Sequence, residues 1–387
     1  MPPSLIERGL TYLPIQLMQP LSGVSLVVPF YHIVSDSTVP HVDHLYRVKS
    51  IAEFNEDLAF LLRHFEPVTL HDVIDALNGT QTLRRPCFHL TFDDGFREVH
   101  DIVAPILQRA GVPATFFLNT AFLDGGGLAH HNALSLLLER LQSPQDRVSE
   151  ATLRKVESLL GHGRDDFADL RARILSIRHS QRALVSLLGE ILEVDFDRYV
   201  RTTRPYLSSS QIATLLAMGF SIGAHSHDHP LYADLPLPEQ LEQTRMSVSL
   251  LKTRFRVSTK AFAFPYNDDG VERSFFSEVF DEALLEVSFG TSGLVSHFHP
   301  RNLQRVSMEK SDPKGKAIPA ARILSRQFVR ATYFRSGLDN IRRNLLRQPR
   351  DPRSPSGLRV GGILEKNKAQ LPTNSRLKEM EAWSNIV

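Results

Sequence analysis

The sequence predicts an α/β fold with a largely parallel sheet, closed as a barrel and interrupted once by a helical insertion. Three observations predict it. From Val24 onward short apolar runs exchange places with amphipathic helical patterns, the order that builds parallel sheets covered by helices. Between about Gly125 and Tyr206 that rhythm stops and only helical spacing recurs, as expected of an insertion in one barrel loop. The 387 residues suffice for one large domain or two ordinary ones, and α/β barrels with insertions reach this length.

The first element is the run VSLVVPFYH, a strand. SIAEFNEDLAFLLRHF follows as a helix: Ser50 and Glu53 make a capping box, and Phe54, Leu58, Leu61 and Phe65 share one face. A short helix, HDVIDALNG, ends at Gly79 and leads to the strand CFHLTF. Next come a helix over about REVHDIVAPILQRAG, with Gly111 as its stop signal, and the strand ATFFLNT. Inside the insertion HHNALSLLLERLQ, EATLRKVESLLG and QRALVSLLGEIL carry helical spacing with no strand between them. The rhythm resumes with the capped helix SSSQIATLLAMG, the strand FSIGAH, the long helix PEQLEQTRMSVSLLKTRF and the strand KAFAF. A helix near ERSFFSEVFDEAL, the strand VSFG and a final strand at LQRVSM complete the pattern. Beyond the helical stretch ATYFRSGLDNIRRNLLR, residues from about Gln348 are rich in Pro, Ser, Lys and Arg, the composition of a disordered tail. The division is an N-terminal segment 1–23, a barrel 24–345 with its insertion at about 126–206, and a tail 346–387.

Lysine and arginine number 45 against 43 aspartates and glutamates, a formal net charge of +2. That balance gives no argument for a nucleic-acid or acidic-membrane partner. The single cysteine, Cys87, excludes an intramolecular disulfide framework and a cysteine-rich zinc site. No stretch approaches the roughly 18 consecutive apolar residues of a membrane span. MPPSLIERGLTYLPIQLMQPLSG lacks the basic start, unbroken apolar run and cleavage site of a secretory signal. The expectation is a soluble cytoplasmic protein whose proline-bearing LTYLPIQLMQPL packs against the domain.

Three polar clusters follow strands at equivalent places: Asp93 and Asp94 after FHLTF, His225, His227 and His229 after FSIGA, and Pro265 and Tyr266 after KAFAF. In a parallel barrel the C-terminal strand ends converge on one face, where active sites are built. HSHDH offers two imidazoles four residues apart, which point the same way if the segment makes one helical turn. A carboxylate from another strand end completes a two-histidine, one-carboxylate set suited to zinc or another divalent metal. The neighbouring aspartate is then free to accept a proton from activated water. Singly, each cluster has a plainer account: an Asx turn or helix cap for the aspartates, a hydrogen-bonded structural pair for the histidines, an ordinary strand exit for FPY. That account gives no reason for all three to share one edge.

These residues resemble the polysaccharide deacetylases, carbohydrate esterase family 4 with the chitooligosaccharide-deacetylase homology domain. TFDDG is similar to the family's first motif, HSHDH to its second, His-Ser/Thr-x-x-His, and FAFPYN to its third; PFYHIV resembles the Tyr-His element opening many bacterial members. The likeness covers about residues 24 to 310 outside the insertion. It implies a distorted (β/α) barrel, usually of seven strands. It implies Asp93 as general base and Asp94, His225 and His229 as ligands of a divalent metal, commonly zinc, with His227 the variable position between them. The backbone N–H of Tyr266, its turn fixed by Pro265, is implied as an oxyanion donor. The implied reaction is hydrolysis of an N-acetyl group on an amino sugar, in a glycan or a saccharide precursor.

The sequence departs from the family pattern in three places. Many members carry an arginine three residues before the third-motif proline, where it orients the catalytic aspartate; here that residue is Phe262. The fourth motif's Asp-Trp pair has no match, the only tryptophan being Trp383. The fifth motif, a leucine followed by the acid histidine, has a loose counterpart in GLVSHFHP, so His297 and His299 are candidates to protonate the leaving amine. His32, at the end of the first strand, is a third. Two other functions fit the same residues: a related metal-dependent amide or ester deacylase on another substrate, and a catalytically silent glycan-binding barrel. The missing arginine and tryptophan favour the latter; the intact Asp93 opposes it. His130 and His131 stand at the entrance of the insertion, whose periodicity marks its helices as partly buried.

Overall fold

The computed structural model describes residues 15–335 apart from Arg84, residues 144–146 and residues 162–165. The expected tail 346–387, and most of the helix expected beyond Ala331, lie outside the described residues. The strands are β1 (Leu26–Val27), β2 (Pro29–Tyr31), β3 (Glu66–Pro67), β4 (Cys87–Phe88), β5 (Leu90–Phe92), β6 (Ala114–Leu118), β7 (Ser221–Ala224), β8 (Ala261–Ala263), β9 (Val287–Gly290), β10 (Asn302–Gln304) and β11 (Val306–Ser307). All pair in parallel.

The main sheet runs β10-β9-β8-β7-β6-β5-β2-β11. Its two edges belong to one stretch of chain. β10 pairs with β9, Gln304 opposite Gly290, while β11 pairs with β2, Val306 opposite Pro29. The run LQRVSM therefore breaks at Arg305 and crosses from one edge to the other. Counting that broken pair as one, seven passes make the barrel: β2, β5, β6, β7, β8, β9 and β10–β11. The barrel is distorted because VSLVVPFYH and CFHLTF also break, at Val28 and at His89. Their outer halves join β3 in a small sheet of order β1-β4-β3. His89 is buried and uses both ring nitrogens, Nδ1 on the Val68 carbonyl and Nε2 on Thr115 Oγ1, each at 2.8 Å.

Most helices form where the pattern places them, and three more, Ile15–Ser22, Phe167–Leu175 and Phe196–Thr203, were not expected. Helix Ile51–His64 has both halves of the Ser50–Glu53 capping box and buries Phe54, Leu58 and Leu61. REVHDIVAPILQRAG opens with a π segment, Val99–Val103, before the α-helix Ala104–Ala110. Pro105 has no N–H to donate and its ring crowds the preceding turn, which widens to fit. Gly111 then ends the helix in the left-handed conformation, φ +65°. Helix Ile15–Ser22 sends Ile15 and Met18 into the main core. Among the described residues no helix is long and apolar enough to cross a membrane.

The insertion comprises helices His130–Gln142, Glu150–Leu160, Phe167–Leu175, Arg182–Leu192 and Phe196–Thr203. They bury an apolar cluster of their own, with Leu134, Leu137, Val156, Ile174, Leu188 and Leu192 at its centre. Its first helix is tied to the barrel loops by polar contacts: Asn132 Nδ2 donates to the His41 carbonyl at 2.8 Å, Ser135 Oγ to Pro40 at 2.7 Å, and Tyr206 Oη to Asn132 Oδ1 at 2.5 Å. The insertion is thus a unit with its own core, fastened at the end that faces the site.

Candidate active site

Each predicted cluster emerges where a strand ends. The Asp93 N–H donates to Tyr31 O at 2.9 Å, that of His225 to Leu118 O at 2.9 Å, and that of Phe264 to Phe289 O at 3.0 Å, so the backbone is still anchored to its neighbour as the polar residues begin. Just beyond, the chain reverses through left-handed conformations at non-glycine residues: Asp94 (φ +67°), Ser226 (+67°), His229 (+63°) and Tyr266 (+59°). Such residues cost about 1–3 kcal/mol each and gather at functional sites. The two imidazoles of HSHDH converge through the reversals at Ser226 and His229. The helical turn that their spacing suggested does not form.

Asp94 is the centre of a buried cluster. Its Oδ1 lies 3.4 Å from His225 Nε2 and 3.2 Å from His229 Nε2, and its Oδ2 lies 3.6 Å from His131 Nε2. Asp94, His225, His229 and His131 are all buried. Asp94 and His229, with His131 from the insertion, offer three donor atoms within 4.8 Å of one another. Burial and the neighbouring His131 push His229 down to about 3 against the pull of Asp94. Burial opposes the charge on Asp94, yet the surrounding imidazoles, His229 foremost, hold its carboxyl well below the usual range. An ionised carboxylate beside a His229 whose pKa is pushed down is a donor pair suited to a divalent cation. Two further observations fit a cation. His225 Nδ1 donates to the Ala263 carbonyl at 2.8 Å, which fixes the ring with Nε2 turned toward Asp94. Asp94 Oδ1 has no hydrogen-bond partner among the described residues. Without a proton or a cation between them, atoms this close would repel.

Asp93 faces the barrel interior, on the same side of its strand as Thr91. There it meets Arg305, whose Nη1 and Nη2 donate to its two carboxylate oxygens at 2.7 Å each. The guanidinium is fully buried, donates Nε to the Gly290 carbonyl at 3.2 Å, and lies 4.6 Å from the ring centre of Phe30. Burial raises the Asp93 pKa, but Arg305 and then His225 outweigh it and hold the carboxyl below the ordinary range. Arg305 was not among the candidates from sequence. Its signal was a charged residue in the middle of the strand LQRVSM. The position where many relatives carry an arginine is occupied by Phe262, which packs on Tyr232 and Phe264 with ring centres 5.4 and 5.1 Å away.

His32 leaves the end of β2 with its Nδ1 2.5 Å from Glu309 Oε2, while Glu309 Oε1 accepts from the backbone N–H of His32 at 2.8 Å and of Ile33 at 3.1 Å. Burial lowers the His32 pKa, but Glu309, helped by Asp94 and Asp93, brings it up to about 9. Its ring stacks on Tyr46, 4.5 Å between centres. Glu309 is buried and was also missed, standing past the last predicted strand. His297 and His299 stand elsewhere. His297 packs on Phe276 and Phe298 with Nε2 3.8 Å from Asp268, and His299 stacks on Phe280 at 4.3 Å. His227 Nδ1 pairs with Thr120 Oγ1 at 2.9 Å. The Tyr266 ring lies against His229, 4.6 Å between centres, and its carbonyl accepts from Thr291 Oγ1 at 3.0 Å.

Residues 80–152 and 179–274 match the polysaccharide deacetylase family. Over those stretches the chain resembles that family. It is a carbohydrate deacetylase, a hydrolase of carbon–nitrogen bonds outside peptides. The family match pauses within the insertion, over residues 153–178, and stops before Arg305 and Glu309. Among solved structures the chain is similar to the deacetylase PplD of Streptococcus pyogenes in complex with acetate, at 12% identity and TM-score 0.51, covering 79% of this chain and 98% of that one. IcaB from Ammonifex degensii gives 18% identity and TM-score 0.49 over 79% of this chain and 98% of its own. No curated protein sequence matches the chain.

Proposed function

We propose that this deacetylase is metal-dependent and removes N-acetyl groups from an amino-sugar-containing glycan or saccharide precursor. The observation that carries the reading is the division of labour between adjacent aspartates: Asp94 amid imidazoles at 3.2–3.6 Å, Asp93 gripped by Arg305 at 2.7 Å. Asp94, His225 and His229 would hold the cation, with zinc the metal their donor types suit best. When bound, such a cation supplies a Lewis acid for the acetyl carbonyl and lowers the pKa of water.

The chain's own residues do the rest. Asp93, ionised and fixed in orientation, accepts the proton of the attacking water as its oxygen bonds to the carbonyl carbon. The Tyr266 backbone N–H, presented by the reversal at φ +59°, donates to the oxygen on which negative charge develops. The carbon–nitrogen bond then breaks, and His32, protonated through its contact with Glu309, gives its proton to the departing amine. Acetate and a free amino sugar leave. Of the three acid candidates, His32 is the one whose pKa answers to both Asp93 and Asp94. The silent-barrel alternative loses its chief support, because Arg305 supplies the guanidinium that Phe262 cannot.

The test is acetate release from N-acetylglucosamine oligomers by the purified protein, with and without a chelator, and with O-acetylated sugars alongside. Turnover that survives complete metal removal, or that is faster on the O-acetyl esters, would refute the proposal.

A further inference from the structure

His131 belongs to the insertion and yet stands in the site. It is the second residue of helix His130–Gln142, whose neighbours fasten it from two sides: His130 Nε2 donates to the Ile177 carbonyl at 2.7 Å, and Asn132 bridges the His41 carbonyl and the Tyr206 hydroxyl. Between these anchors the His131 ring is carried to 4.3 Å from that of His229, with its Nε2 3.6 Å from Asp94 Oδ2. That separation is too long for a hydrogen bond, so His131 is not merely a tether on the carboxylate. It suits a different purpose. Asp94, His131 and His229 offer three donor atoms within 4.8 Å of one another, the imidazoles of His229 and His225 lying 3.2 and 3.4 Å from Asp94 Oδ1 and that of His131 3.6 Å from Oδ2, close enough to share one divalent ion.

We infer that His131 is a further protein donor to the divalent cation, in a coordination shell of more than four positions that keeps room for water and the acetyl oxygen, so that the helical insertion completes the metal site and is clamped to the barrel through it. The inference rests on the metal reading above. It adds that the cation bridges two separately packed units, the barrel core and the insertion's own apolar cluster, and that the insertion governs how tightly the cation is kept.

The experiment uses the full chain, loaded with zinc or cobalt(II), in wild-type form and as His131→Ala, His131→Gln and Asp94→Asn. Zinc affinity is measured by competition with a chromophoric chelator, and cobalt coordination from its visible absorption. Glutamine approaches histidine in bulk but is a poor zinc ligand, so His131→Gln guards against a packing failure in the alanine variant. The expected result is an affinity loss of at least about tenfold in both His131 variants, the scale on which even outer-shell partners act. The cobalt spectrum should also change in shape, which loss of an outer-shell contact would not produce. Wild-type affinity and an unchanged spectrum in a folded His131→Gln protein, with Asp94→Asn binding no metal, would overturn the inference while leaving the metal reading intact. A wild-type protein that binds neither ion would overturn both.

Discussion

Replacing Arg305 by methionine keeps the length of the side chain and removes the guanidinium that grips Asp93. Both partners are buried, Arg305 at 0% and Asp93 at 2% exposure, and both carboxylate oxygens are served at 2.7 Å. Removing one member of such a pair leaves an uncompensated charge in the interior, which costs about 3–5 kcal/mol. An exposed pair would be worth only about 0–1 kcal/mol. The Asp93 carboxyl is held below its ordinary range in the folded state, so the stability linked to it is present above the unfolded pKa and lost as pH falls through the folded one. At pH 7 the full contribution is therefore in play. Urea unfolding of the wild type, Arg305→Met, Asp93→Asn and the double variant closes a thermodynamic cycle, in which the double variant should recover much of what Arg305→Met loses. Turnover should fall with stability but for a separate reason: a base displaced by about 1 Å loses about a hundredfold in rate. Arg305→Lys should not restore it, since an ammonium cannot grip both oxygens. If Arg305→Met loses less than about 1 kcal/mol, the value of a surface pair, and keeps its turnover, Arg305 does not hold the base and the site has been misassigned.

Asp93→Asn should retain stoichiometric zinc, measured by elemental analysis, while losing turnover by about a hundredfold or more; full activity in that variant removes Asp93 as the base. His32, raised to about 9 from an ordinary value of 6.5, keeps its proton below that range and gives it up as pH rises through about 9, so kcat should decline there. Glu309→Gln leaves burial as the dominant influence, so the alkaline limb of the pH–rate profile should move to lower pH; an unmoved limb excludes His32 as the acid. By the same sign, the stability contributed by the His32–Glu309 pair is complete below pH of about 6.5 and lost through about 9. Gly223→Ala would set a methyl group 2.4 Å from Phe117, whose ring centre lies 5.5 Å from the Arg305 guanidinium. Overpacking of this kind costs about 1–3 kcal/mol in urea unfolding, and an unchanged midpoint would show that this ring is not tightly confined.

What was legible in the sequence, and what was not, follows from the kind of information each residue carries. The seven passes were visible because each is a short apolar run bounded by helix signals, and Asp93, Asp94, His225 and His229 because each follows such a run directly. The break at Arg305 was not visible. Alternation along LQRVSM identifies a strand, but it cannot say that one half pairs with β9 and the other with β2. A motif records spacing along the chain, whereas Asp93 needs a guanidinium at a place in space. The search at position 262 therefore found Phe262, a core residue, while the cation came from the strand on the other side of β5 that closes the ring. A charge-balance question would have found it: a carboxylate inside a barrel requires a buried cation, and a strand containing an arginine among apolar residues is where to look. His131 was hidden differently. Helical periodicity marks its face as buried but cannot distinguish the insertion's own core from the barrel's polar mouth. His131 proves to face the second, although Leu134, three residues on, belongs to the first. The insertion therefore has two buried surfaces. On the proposed metal reading, a change that repacks the apolar one would shift the histidine on the other, so substitutions at Leu137 or Leu188 should weaken zinc affinity, read by chelator competition, along with the fold.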